Sequence, residues 1–87
     1  MSATAPPISP TRFAAALKDL PLSSLHGKAA ELRNSITHLQ HSNKELQPFA
    51  TEGDEVCKDA IAENEEVVDR MEHRILLLRA EVEGRGM

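Results

Sequence analysis

The chain has 87 residues, a formal charge of −4 and only two aromatic side chains, Phe13 and Phe49. That length fits one small domain, and its core must rest on Leu, Ile and Val, as in bundles and coiled coils. The acidic balance and the lack of aromatic platforms speak against nucleic-acid binding, and no apolar run is long enough to cross a bilayer.

Residues 1–8 are small, polar and Pro-bearing, and read as a disordered arm. Ser9-Pro10 then opens a helix over about 10–20. Ser9 is placed to cap it, Pro10 suits the first position, and Phe13, Leu17 and Leu20 share a face. Pro21 stops it. A helix this short must dock on something.

A second helix over about 23–47 follows, capped by Ser23 or Ser24, with Pro48 disfavouring continuation. Thr51-Glu52-Gly53-Asp54 is a loop and restart, in which Gly53 is permissive and Asp54 can cap. The last helix spans about 55–83. Gly84 and Gly86 end it, leaving 84–87 as a disordered tail.

Both long helices carry heptad seams. In the second, steps of three and four pick out Leu22, Leu25, Ala29, Leu32, Ile36, Leu39, Asn43, Leu46 and Ala50. In the last they pick out Cys57, Ile61, Asn64, Val68, Met71, Ile75, Leu78 and Val82. Folded back antiparallel, Leu46 meets Ile61, Leu39 meets Val68, Ile36 meets Met71, Leu32 meets Ile75 and Leu25 meets Val82. The two polar seam residues, Asn43 and Asn64, then face each other. An unpaired buried amide costs about 1–3 kcal/mol, so any slip of register is penalised twice.

Flanking charges agree with this register: Arg33 falls near Glu72, Lys28 near Glu81, and Phe49 lies over Ala60. Parallel homodimers would instead oppose Lys28 to Arg33, or Arg74 to Arg79. The expected fold is therefore all-α: an antiparallel coiled-coil hairpin, with arms about 38 Å long at 1.5 Å per residue. The short first helix would pack near its open end, against Leu76 and Leu77.

Residues with chemical potential are few. His38 and His41 are three apart, but a zinc site needs more ligands at recognised spacing. Cys57, the only cysteine, reads as an inert seam thiol and points to a reducing compartment. No catalytic, cofactor-binding or metal-binding residues are assigned, and an enzyme is not expected. From Asp54 to Glu83 ten acidic residues face four basic ones, leaving an acidic outer face that could steer a basic partner. The candidate partner-binding residues are Glu63, Glu66, Arg70, Leu76 and Leu77. A homodimer through the apolar patch is the other option, and neither nucleic acid nor membrane is an expected partner.

Two stretches are more specific than heptads. They are Leu32-Arg33-Asn34-Ser35-Ile36-Thr37-His38-Leu39-Gln40-His41-Ser42-Asn43 and Asp59-Ala60-Ile61-Ala62-Glu63-Asn64-Glu65-Glu66-Val67-Val68. Together they resemble the fungal translation-machinery-associated protein seventeen family, also described as dedicated ATPase chaperones of the proteasome. The resemblance covers most of Phe13 to Glu83. It implies an assembly chaperone of the proteasome regulatory particle, which binds the sixth base ATPase subunit and promotes its pairing with the third. It brings no cofactor and no catalytic residue, and a cytoplasmic location, with the nucleus as a second one. The loop here is shorter than the acidic insertion such a resemblance leads one to expect. The alternative reading is a structural coiled-coil subunit or adaptor that oligomerises without a proteasomal client.

Overall fold

The computed structural model describes residues 8–86. The arm expected at 1–8 falls outside this range apart from Ile8, as does Met87. Three helices follow one another: α1 (Pro10–Leu17), α2 (Leu22–Thr51) and α3 (Glu55–Gly84). Helices α2 and α3 form the antiparallel hairpin, and α1 packs against α3. The particle measures 50 × 27 × 16 Å. Its α2 arm is longer than the sequence suggests because that helix runs on to Thr51.

Local chemistry explains most boundaries. The Ser9 hydroxyl accepts from Arg12 N at 3.3 Å, and Pro10 occupies the first helical position. Asp54 starts α3 by accepting from Cys57 N at 3.1 Å. Gly53 turns the chain at φ +100, a conformation that L side chains rarely adopt.

Four boundaries differ from the sequence expectation. Helix α1 stops at Leu17, and Leu20 is 38% exposed instead of sharing the packed face. Helix α2 starts on an extended Pro21, whose carbonyl accepts from Ser24 N and Leu25 N, so neither Ser23 nor Ser24 is its cap. It also continues through Pro48 to Thr51. Proline forfeits one intrahelical bond, but the next turn closes behind it: Glu52 N donates to the Pro48 carbonyl at 3.2 Å, and Ala50 is buried in the seam. Finally, α3 includes Gly84, and Arg85 beyond it is engaged with the rest of the fold. The expected disordered tail is thus structured as far as Gly86, where φ is +81.

The predicted register is present. Asn64 Nδ2 donates to Asn43 Oδ1 at 2.8 Å across the seam. Burial along that seam is uneven. Phe13, Leu17, Leu25, Ala29, Leu32 and Leu78 form one buried cluster at the open end, with Leu22, Met71, Ile75, Leu77 and Val82 packed against it. Toward the loop only Ile36, Ala50 and Val68 are buried, while Leu39, Leu46 and Ile61 remain half-buried. The reason is geometric: two helices alone cannot enclose their shared stripe, and α1 supplies a third wall at one end only. Fully burying a side chain such as Leu25 or Leu17 is worth about 1.5–3 kcal/mol, so cohesion is concentrated where α1 sits.

Candidate interaction surface

The two edges of the hairpin seam differ. One edge, near the open end, is occupied by α1, which runs in the same direction as α3. Its start lies beside Arg70, His73, Arg74 and Leu77, around a cavity of about 200 Å³. Its finish lies beside Glu81 and Arg85. Phe13 and Leu17, one helical turn apart, insert into the core. Arg74 covers the Phe13 ring from 5.4 Å, a cation–π contact worth about 0.5–1 kcal/mol at a partly exposed site.

The finish of α1 is clasped by a guanidinium. Arg85 Nη2 donates to the carbonyls of Leu17 at 3.0 Å, Lys18 at 3.4 Å and Leu20 at 2.8 Å. Its Nε meets Glu81 Oε2 at 2.8 Å, and Lys18 also reaches Glu81, at 3.8 Å. A positive charge at the carbonyl end of a helix opposes its dipole and satisfies acceptors that the helix leaves free. The expected ion pairs across the hairpin do not form. Lys28 turns to Glu31 on its own helix at 3.9 Å, and Glu81 is taken by Lys18 and Arg85. Arg33 and Glu72 share a cavity wall without closing to an ion pair. Docking of α1 redirects Glu81, and nothing in the heptad pattern marks Arg85 for this role. The one local hint is that Arg85 follows Glu81 at the helix-pairing interval of four.

Among the described residues the opposite edge carries no helix. Shallow, open depressions adjoin along it, from Gln47 and Ile61 near the loop to Val82 and Glu83 at the open end. Glu65, Asp69 and Glu72 line this edge on α3, and Gln40 and Lys44 face them from α2.

The five sequence candidates scatter over three places. Leu77 is half-buried and packs with α1. Leu76, 56% exposed, lines the open edge with Ile36 and Ile75. Glu63 and Glu66 are exposed, and Arg70 lies beside the start of α1. They do not form one patch. The acidic residues of the open groove, Glu65, Asp69 and Glu72, are not among the sequence candidates. Their common edge follows from heptad position, which could have revealed it.

Phe49 is 57% exposed and Val56 is 78% exposed, both close to the loop. Cys57 is half-buried; burial, and then the Asp54 carboxylate beside it, hold its thiol above the ordinary value. His41 lies 3.4 Å from Glu45 on the same helix. Among the described residues no group of three or more His, Cys, Asp or Glu side chains is disposed to hold a metal, and no helix is long and apolar enough to cross a membrane.

Residues 9–87 match the family model described as the TMA17 helical domain. No curated protein matches the chain significantly. No solved structure does so either.

Proposed function

The chain belongs to the TMA17 helical-domain family, and from that membership we propose that it is an assembly chaperone of the proteasome regulatory particle. It binds the sixth base ATPase subunit and promotes that subunit's pairing with the third. The observation that carries this reading is the family match, which spans all three helices and the residues joining them. The fold supports it in kind: a narrow rod, 16 Å across its thinnest dimension, offers long edges for another protein. In this proposal the role is non-catalytic, requires no cofactor and is carried out in the cytoplasm, with the nucleus as a second location.

The test is co-elution of the purified chain with the purified sixth ATPase, followed by addition of the third. A complex that forms and speeds the ATPase pairing is the expected result. A stable homo-oligomer that ignores the ATPase overturns the proposal in favour of a structural coiled-coil subunit.

A further inference from the structure

We propose that the open edge of the hairpin is a groove for a single amphipathic helix of a partner protein, one bearing an apolar stripe and a basic flank facing the loop end. This deepens the chaperone reading by giving the client segment a place and a chemistry.

The groove is continuous. The first and second depressions share Gln40 and Glu72, and the second and third share Arg33 and Ile75. From Ile61 to Val82 it extends about 32 Å at 1.5 Å per residue, the length of a helix of about 21 residues. Its floor is apolar apart from Asn43: Ile36 and Val68 are buried, while Ile61, Ile75 and Val82 remain half-covered. Leu76 stands on the rim, 56% exposed.

The molecule already shows how its seam takes a third helix. On the other edge α1 lies along α3 and anchors through Phe13 and Leu17, one turn apart. Ile75 and Val82, packed against the α1 cluster and half-covered on the open edge, offer a second such site with room for a longer helix. Helix-in-groove recognition uses this arrangement of spaced apolar anchors.

Charge selects the occupant. Toward the loop, the rim carries Glu65, Asp69 and Glu72 against Lys44 alone. Among the described residues none of these four is in an ion pair. Toward the open end, Arg33 and Arg79 outweigh Glu83. The groove is therefore polarised, and it favours a helix whose Lys or Arg residues flank the stripe in the half that lies near the loop. Complementary charge of this kind governs partner choice and orientation.

The test uses two synthetic 21-residue helices with the same leucine heptad stripe. One carries Lys at the flanking positions of one half, the other Glu. Anisotropy titrations with the full chain should show the Lys helix binding at least tenfold tighter. The combined variant Glu65→Lys, Asp69→Lys, Glu72→Lys should reverse that preference. Glu63→Lys with Glu66→Lys, on the outward face, should leave it unchanged. Leu76→Glu should weaken both peptides and serves as a second probe of the groove should the triple variant lose helicity. Equal binding of the two peptides, binding by neither, or sensitivity to Glu63 and Glu66 in place of Glu65, Asp69 and Glu72 overturns the proposal. So does a homodimer in sedimentation that Leu76→Glu dissociates, because the groove then belongs to a second copy. Retained binding of the ATPase by the triple variant overturns the groove while leaving the chaperone reading intact.

Discussion

At the scale of single residues, specificity and stability are set by different side chains. Asn43 and Asn64 give up apolar burial to hold one register through their 2.8 Å hydrogen bond. Asn64→Leu is expected to raise the melting temperature, since a leucine fills the seam, while register or oligomeric state loosens. Calorimetry and sedimentation check the two effects; unchanged behaviour in both would contradict the pairing. Cys57 reports on its own surroundings. Burial and the Asp54 carboxylate both favour its neutral thiol, so its pKa is raised above the ordinary thiol value. Asp54→Asn keeps a capping side chain but removes the charge. Alkylation by iodoacetamide, followed against pH, should shift to lower pH in that variant; an unmoved profile would assign the whole effect to burial.

At the scale of elements, proline at position 48 is the clearest strain on a long helix. Pro48→Ala restores a donor for the Lys44 carbonyl and should stabilise the fold by about 1–3 kcal/mol, measured by urea unfolding. A neutral or negative result would mean that the Pro48 ring packs usefully near the loop. The long helices, their antiparallel pairing and the facing asparagines were legible because heptad spacing is a periodic signal, repeated through Leu25, Leu32, Leu39 and Leu46. Boundaries were less legible. Gly84 ends α3 as the sequence suggests, but Pro48 also reads as a stop, and α2 continues past it to bury Ala50. The contact of Arg85 with α1 is not legible beyond its interval of four from Glu81, since its carbonyl acceptors lie 65 to 68 positions away in the chain. The groove acids were present in the pattern but hidden among the other carboxylates of α3, because composition alone does not sort one edge from another.

At the scale of the whole molecule, cohesion is graded along the rod. The open end has a three-helix core, and the loop end only a two-helix seam. Phe13→Ala removes the aromatic anchor of α1, and such truncations cost about 3–5 kcal/mol in full cores, less at an edge like this one. Hydrogen exchange should then accelerate across α1 and at the open end, with the Asn43 and Asn64 layer little changed. Uniform acceleration along all three helices would instead mean that the rod unfolds as one unit. The Arg85 clasp has a further consequence for biosynthesis. Of the three helices α1 leaves the ribosome first, yet the surface that receives it, from Arg74 to Arg85, is made after α2. Phe13 and Leu17 therefore emerge well before their binding site, and α1 can dock only once α3 has been made.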